Sequence, residues 1–182
     1  MLLFHSYVCM NSFGKLKTPF FCLLNTHIFI WQCLSASDNL LTINIDGASR
    51  GNPGLSGIGV VISRDGQKIA EYKEFVGNTT NNLAEYLALK KALKIASTLN
   101  DDEITILSDS ELVVKQRNRS YKVRSKQLKM IFREVNNLEK YFKSVNYRHV
   151  PRENNSAADL LANRAIDEYV LNIYKPNDSR QQ

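Results

Sequence analysis

The hydrophobic pattern of the chain changes its period, and this change constrains the fold most strongly. From Leu41 to Asp46 apolar and polar residues alternate, so Leu41, Ile43 and Ile45 share one face of a strand. From residue 83 to residue 99 the apolar residues instead recur at the spacing of an amphipathic helix. Read on to residue 169, the pattern predicts elements in the order β-β-β-α-β-α-α-β-α.

The other predicted elements follow from the same two periods. Asp65-Gly66 is a hairpin signal between two strands, and a glycine-rich loop is expected at residues 47–54. The remaining strands are predicted at 57–63, 68–76, 104–107 and 145–150, and the remaining helices at 110–116, 128–142 and 157–169. A hairpin meander followed by crossovers predicts an α/β fold with a five-stranded mixed sheet flanked by helices.

The 182 residues fit one domain, which we place at residues 39–172, before a polar tail at 173–182. Residues 1–38 form an amino-terminal extension whose apolar run is interrupted by polar residues and is too short to span a membrane. A dispensable extension, a targeting segment and a packed part of the fold are all open, and we favour the first. All three cysteines lie before residue 40, so a disulfide framework in the domain is excluded and a cytoplasmic location is expected.

Charge is concentrated in one segment of the chain. The formal net charge is +6, yet residues 115–133 contain only basic residues among their charged side chains. These are Lys115, Arg117, Arg119, Lys122, Arg124, Lys126, Lys129 and Arg133. A solvated helical face is the plain interpretation, but so dense a segment of one sign favours a nucleic acid as partner.

Four acidic residues occupy the ends of predicted elements. Asp46 ends the first strand, Glu85 lies in the first turn of the long helix, Asp109 follows the fourth strand, and Asp159 lies in the first turn of the last helix. Each has a structural interpretation as a helix cap or turn residue; Asn82 with Glu85, for example, has the spacing of a capping box.

Taken together, the four acids indicate a metal site. Carboxyl ends of parallel strands and the starts of the adjacent helices share one edge of an open sheet. Carboxylates that meet there repel one another, and Mg²⁺, which prefers oxygen ligands, relieves that repulsion. Two such ions about 4 Å apart can activate water and stabilise the leaving oxygen of a phosphodiester. The sequence therefore predicts a metal-dependent phosphodiesterase.

Four motifs in order resemble those of the type 1 ribonuclease H family. They cover about residues 41–169, which is most of the chain, and their joint order makes the resemblance specific. The segments are Ile45-Asp46-Gly47-Ala48-Ser49-Arg50-Gly51-Asn52-Pro53-Gly54, Thr79-Thr80-Asn81-Asn82-Leu83-Ala84-Glu85, Ser108-Asp109-Ser110, and His149-Val150-Pro151-Arg152-Glu153-Asn154-Asn155-Ser156-Ala157-Ala158-Asp159.

The resemblance implies a ribonuclease H-like fold and hydrolysis of the RNA strand of RNA–DNA hybrids with two Mg²⁺ or Mn²⁺ ions. It implies that the metal ligands are Asp46, Glu85, Asp109 and Asp159. It also implies contacts to the hybrid from Gly47, Asn52, Thr80, Asn81 and Asn82. Amide side chains can donate to and accept from the 2′-hydroxyls that distinguish RNA from DNA.

Two departures from the family pattern affect the site. Residues 110–125 are too few for the basic helical handle of many bacterial members, so Lys122, Arg124 and Lys126 are predicted to bind substrate in its place. A mobile histidine assists product release in members with the handle. Here His149 is predicted to lie half-buried in a strand. The resemblance to handle-less relatives implies that the arginine of Val150-Pro151-Arg152-Glu153 takes that role, so Arg152 is favoured over His149. Arginine stays protonated, so it would hold phosphate or a ligating carboxylate.

The expected partner is an RNA–DNA hybrid, and double-stranded RNA is a further candidate. A monomer without stable membrane association is expected. Two alternatives remain open: a catalytically idle module that binds hybrid or double-stranded RNA, and a ribonuclease H unit derived from a reverse transcriptase. The presence of all four carboxylates disfavours the idle module, because a binder gains nothing from negative charge that faces phosphates.

Overall fold

A computed structural model describes residues 40–174 of the chain. The predictions for residues 1–38 and 175–182 lie outside this range. The strands are β1 Leu41–Gly51, β2 Gly54–Arg64, β3 Gln67–Thr79, β4 Glu103–Ser108 and β5 Ser144–His149. The helices are α1 Asn81–Ala96, α2 Glu111–Arg117, α3 Lys126–Glu139 and α4 Ser156–Tyr174, and a 3₁₀ turn at Arg152–Asn155 precedes α4.

The five strands form one mixed sheet in the order β3-β2-β1-β4-β5. β1 pairs antiparallel with β2, which pairs antiparallel with β3, while β1–β4 and β4–β5 are parallel. Both the predicted order of elements and the five-stranded mixed sheet are confirmed. The parallel register, with Leu41 beside Ile104 and Asn44 beside Leu107, brings Asp46 of β1 level with the carboxyl end of β4.

The sequence prediction was wrong about the segment after Asp46. β1 continues to Gly51 and pairs with β2 as far as Gly54, so most of the expected loop is strand. Gly51 allows the tight reversal because its φ of +123° is unfavourable for other residues. At the other end of the domain, α4 continues to Tyr174, beyond the predicted end of the last helix.

The helices cover the sheet on two faces. Successive residues of β2 face opposite sides of the sheet. On one side Ile58, Val60 and Ile62 pack in the core with α1 and α3, and on the other Val61 packs against α4. Gly59 permits the close approach of α4, because a Cβ atom there would lie 2.0 Å from the carbonyl oxygen of Ala158. No helix within residues 40–174 has the length and apolar character needed to cross a membrane.

Candidate active site

The four predicted acidic residues lie on four different elements. Asp46 is buried within β1, and Asp109 directly follows β4, its parallel neighbour. Glu85 lies in the second turn of α1 and not, as predicted, in the first, because α1 begins at Asn81. Asp159 lies in the first turn of α4. Gly47 lets α1 approach β1, because a Cβ atom at Gly47 would lie 2.3 Å from the backbone nitrogen of Glu85. The fold thus brings all four to one edge of the sheet.

The electrostatics of two of these carboxyl groups reflect that convergence. Burial, followed by the charges of Asp109 and Asp159, raises the pKa of Asp46 from 3.8 to about 7. Burial also raises the pKa of Glu85 from 4.5 to about 7, with further increases from Asp46 and Asp109. Hydrogen bonds from Ser110 and Asn81 partly oppose this shift. The site therefore concentrates negative charge that its own residues neutralise incompletely.

Three hydrogen bonds hold two of the carboxylates in place. Ser110 Oγ donates to Glu85 Oε2 at 2.6 Å, and Asn81 Nδ2 donates to Glu85 Oε1 at 3.1 Å. Asn155 Nδ2 donates to Asp109 Oδ1 at 2.8 Å. These donors are neutral, so they orient the acids without cancelling their charge.

Asp159 has a cationic partner. Arg152 Nη2 donates to Asp159 Oδ1 at 2.8 Å and forms an ion pair with it. The Arg152 side chain is 73% exposed, so its guanidinium lies at the surface of the site. This contact agrees with the predicted hold on a ligating carboxylate.

The donor set fits a hard divalent cation, although its side chains are held apart. Within residues 40–174, no three His, Cys, Asp or Glu side chains are grouped closely enough to hold a metal ion as they stand. Arg152, Asn155 and Ser110 each donate a hydrogen bond to a different carboxylate. Carboxylate oxygens at a water-accessible edge remain the ligands that Mg²⁺ and Mn²⁺ prefer.

The helix-capping interpretations of these acids are not supported. Thr80, and not Asn82, is the N-cap of α1, and its side chain accepts from the backbone nitrogen of Leu83. Ser110, and not Asp109, caps α2 by accepting from Val113. Asp109 is therefore not the helix cap that the sequence allowed.

The amide side chains predicted to contact substrate lie beside the acids. Asn52 Oδ1 accepts from the backbone nitrogen of Asn81 at 3.3 Å, which joins the β1–β2 turn to the start of α1. Asn52, Asn81 and Asn82 are all exposed, and Thr80 is partly exposed. Gly47 is buried beneath α1, so seating that helix is a structural role for it beside the predicted substrate contact.

His149 lies at the same edge as Arg152. It is the last residue of β5, as predicted, but its side chain is exposed and not half-buried. Its Nε2 atom lies 3.2 Å from the backbone oxygen of Asp109. The preference for Arg152 over His149 in product release stays a prediction.

Comparison with known proteins gives the same family as the motifs. Residues 44–165 match the model of a family described as reverse transcriptase-like. A ribonuclease HI of Halobacterium salinarum is 41% identical over 124 residues, covering 68% of this chain and 62% of that protein. The solved structure of LC11-RNase H1 in complex with an RNA/DNA hybrid is 39% identical, with a TM-score of 0.69, and the match covers 71% of this chain and 99% of that one. The chain belongs to the type 1 ribonuclease H family.

Some relatives are much longer than the matched region. The bifunctional protein Rv2228c of Mycobacterium tuberculosis is 40% identical over 129 residues, which is 70% of this chain but 35% of that protein. The chain therefore spans about a third of the length of these mycobacterial relatives. The likeness concerns the ribonuclease H domain alone.

This ribonuclease H domain has the predicted handle-less arrangement. α2 ends at Arg117 and α3 begins at Lys126, with no helix across residues 118–125. The predicted substrate contacts Lys122, Arg124 and Lys126 are exposed in and beside this connection, and none forms an ion pair with residues 40–174.

The basic segment is not uniformly a surface feature. The side chain of Arg117 is only 4% exposed: it pairs with Glu139 and lies against the rings of Phe132 and Tyr147. Lys115 pairs with Glu111 one helical turn earlier. The nucleic-acid interpretation of the segment therefore does not extend to Arg117, whose buried ion pair joins α2 to α3.

Sequence analysis missed two residues that position the acids. Ser110 both caps α2 and donates to Glu85, and Asn155 is buried beside Asp109. Asn155 Nδ2 also donates to the backbone oxygen of Ile45 at 2.9 Å, and its Oδ1 accepts from Asn44 at 3.0 Å. Both residues stood inside the quoted motifs, but their type indicated only turns and caps.

Proposed function

We propose that this chain is an endoribonuclease that hydrolyses the RNA strand of RNA–DNA hybrids. The observation that carries the proposal is the convergence of Asp46, Glu85, Asp109 and Asp159 from four elements, with Asn52, Asn81 and Asn82 exposed beside them. Membership of the ribonuclease H family supports it, as does the hybrid bound by the related LC11-RNase H1.

The cofactors of the proposed reaction are two Mg²⁺ or Mn²⁺ ions held by the four carboxylates. When bound, such ions activate a water molecule and stabilise the oxygen that leaves the phosphodiester. The raised pKa values of Asp46 and Glu85 support this assignment, because a nearby cation favours the ionised form that burial and the other acids disfavour.

The protein's own residues position the ligands and the substrate. Asn155 and Ser110 orient Asp109 and Glu85 through hydrogen bonds from neutral donors, which add no positive charge beside these carboxylates. Arg152 holds Asp159 and, being exposed and always protonated, can exchange that partner for a substrate phosphate.

Recognition of the RNA strand is assigned to the exposed amides. Their side chains can donate hydrogen bonds to, and accept them from, the 2′-hydroxyls in the minor groove of a hybrid; these residues are Asn52, Asn81 and Asn82. Duplex DNA has no 2′-hydroxyls. Lys122, Arg124 and Lys126 are free to meet phosphates, and such contacts position a nucleic acid without reading its sequence.

Only one of the two alternatives predicts a different result in a cleavage assay. An idle module would bind hybrid without cutting it, and the chain carries all four acids that this module would not need. A unit derived from a reverse transcriptase would share the chemistry. Activity on double-stranded RNA, a monomeric state and a cytoplasmic location stay predictions.

The decisive experiment incubates the purified chain with labelled hybrid, duplex DNA and duplex RNA, each with Mg²⁺, Mn²⁺ or EDTA. We expect cleavage of the RNA strand of the hybrid, loss of cleavage in EDTA, and recovery on adding either ion. Full activity in EDTA would exclude the two-metal mechanism, and binding without cleavage would favour the idle module.

The matched variant is Asp109→Asn, which keeps shape and hydrogen-bonding capacity while removing the charge. Ser110 and not Asp109 caps α2, so folding should be preserved. We expect hydrolysis to fall by orders of magnitude with an unchanged melting temperature. Near-normal turnover in this variant would remove Asp109 from the metal site.

A further inference from the structure

Arg119 occupies a backbone position that favours glycine. α2 ends in a Schellman motif: the Ser120 nitrogen donates to the oxygen of Lys115 at 2.8 Å, and the Arg119 nitrogen to that of Gln116 at 3.2 Å. The residue after the C-cap in this motif adopts the left-handed conformation, and Arg119 has a φ of +62°. A glycine would adopt it without a steric penalty.

The segment around Arg119 is fixed to the fold. Asn118 Nδ2 donates to the backbone oxygen of Tyr147 at 3.3 Å, which attaches the end of α2 to β5. Lys115 Nζ lies 4.9 Å from the centre of the Tyr121 ring and donates to its hydroxyl. The surrounding structure therefore holds Arg119 in its unfavourable backbone conformation. Residues held in this way are candidates for a functional role.

Arg119 lines a polar cleft of about 490 Å³ between the end of α2, α3 and the start of β5. Three cations and one acid line it, namely Arg117, Arg119, Lys143 and Glu139, which leaves an excess of positive charge. Arg117 and Glu139 pair with each other, and Lys143 pairs with Glu103. Within the described part of the chain, Arg119 is exposed and has neither a hydrogen bond nor an ion pair from its guanidinium.

Arg117 contributes positive charge to the wall of the same cleft, but its own contacts are internal. Its guanidinium pairs with Glu139 and lies against the rings of Phe132 and Tyr147. The exposed guanidinium of Arg119 is therefore the group that can meet an anion from outside, and a phosphate oxygen is an acceptor that suits it.

We propose that this cleft is a phosphate-binding site separate from the carboxylate edge, with Arg119 as its main contact. The cleft runs along β5 from Ser144 to Tyr147, so at about 3.3 Å per residue its far end lies roughly 17 Å from His149. A duplex covers that distance in about five base pairs. The phosphate is thus assigned to the backbone of a hybrid bound at the acidic edge, an assignment that rests on the proposed function.

The test compares three variants of the full chain in an Asp109→Asn background, so that hybrid is bound but not cut. Arg119→Gly removes the charge and relieves the backbone. Arg119→Lys keeps the charge without the planar fork. Asn100→Gly is the matched control, since Asn100 also has a positive φ, of 57°, but lies in the turn that follows α1. Affinity for a hybrid of about 20 base pairs is measured across a salt series.

We expect Arg119→Gly to weaken binding about three- to tenfold at low salt and to reduce the slope of log affinity against log salt by about one. Its melting temperature should equal or exceed that of the parent, so lost binding cannot be attributed to misfolding. Arg119→Lys should keep most of the slope, and Asn100→Gly should bind as the parent does. Parent-like affinity and slope in Arg119→Gly would overturn the proposal.

A second measurement separates this inference from the proposed function. Inorganic phosphate is titrated into the full chain while the amide signals of Asn118, Arg119 and Ser120 are followed by NMR. If the parent fails to bind hybrid, the proposed function fails. The site then stands only if phosphate shifts these signals in the parent and not in Arg119→Gly. Absence of any shift together with parent-like hybrid binding in Arg119→Gly refutes it.

Discussion

At the scale of single residues, the site depends on neutral side chains that hold charged ones. Asn155 is 1% exposed and touches three parts of the site: the Ile45 carbonyl in β1, Asp109 after β4, and Asn44. One amide thus links β1, just before Asp46, to Asp109 after β4. Its own charge is zero, so it adds no positive charge beside Asp109.

We predict that Asn155→Ala lowers turnover strongly and destabilises the fold by about 1–3 kcal/mol, because the buried Ile45 carbonyl and Asp109 lose their donor. Hybrid cleavage kinetics and denaturant unfolding measure the two effects. Asn154→Ala is the control, since the Asn154 side chain is exposed and only its backbone takes part in these contacts. Equal behaviour of the two variants would contradict a positioning role for Asn155.

At the scale of elements, glycines decide how closely the helices approach the sheet. Gly59 lies under the first turn of α4, where Ala158 precedes Asp159. α4 is therefore held at a distance that only a hydrogen atom allows. The position of one acid follows from this contact between β2 and α4.

We predict that Gly59→Ala destabilises the domain by roughly 1–3 kcal/mol or more, because its Cβ would lie 2.0 Å from a backbone oxygen that cannot rotate away. Activity should fall with stability, since α4 carries Asp159. Gly66→Ala serves as control: nothing lies within 4 Å of its Cβ, although its φ of +79° still costs about 1 kcal/mol. Melting curves and hybrid cleavage would separate the two, and a Gly59→Ala chain with parent-like stability would contradict the packing argument.

The connection between α2 and α3 is the second element with a testable role. Replacing Lys122, Arg124 and Lys126 together by Ala should weaken hybrid binding and reduce the salt slope by up to about three units, because each exposed charge can displace counterions from a phosphate. Turnover at saturating substrate should change little, since such contacts are shared by ground and transition states. The control variant also loses three positive charges, by replacement of Lys68, Lys73 and Lys140 with Ala. An unchanged slope would leave the three residues as a solvated surface.

At the scale of the whole molecule, hydrophobic periodicity was sufficient to predict the order of elements, because strand and helix periods differ and each buried face must be continuous. It could not predict that β1 extends to Gly51, since that extension depends on pairing with β2. Motif order located the four acids. It could not distinguish Arg117 from its basic neighbours, because burial beside Glu139 and Phe132 depends on residues far along the chain. The same limit hid the hydrogen bonds of Asn155.

The acidic edge also couples the stability of the whole domain to pH and to metal ions. Asp46 and Glu85 have a pKa of about 7 in the folded protein, against 3.8 and 4.5 as ordinary values. Between those limits the folded state binds more protons than the unfolded state, so its free energy of unfolding falls as pH rises. Glu71, Glu74 and Glu111 have lowered pKa values, and their opposite contribution is complete above about pH 4.5.

We therefore predict that in EDTA the domain is less stable at pH 7.5 than at pH 5, and that Mg²⁺ reverses this loss at pH 7.5 but has little effect at pH 5. Ligand excess of about a hundredfold over Kd would contribute about 2.7 kcal/mol, and this binding requires ionised carboxylates. Denaturant unfolding at both pH values, with and without Mg²⁺, is the measurement.

Asp46→Asn should flatten the pH dependence, because the amide removes the buried charge and keeps the shape. Equal stability at the two pH values in EDTA would mean that the charges of the acidic edge do not destabilise the fold. A Mg²⁺ effect of the same size at both pH values would mean that the ion does not act through these carboxylates.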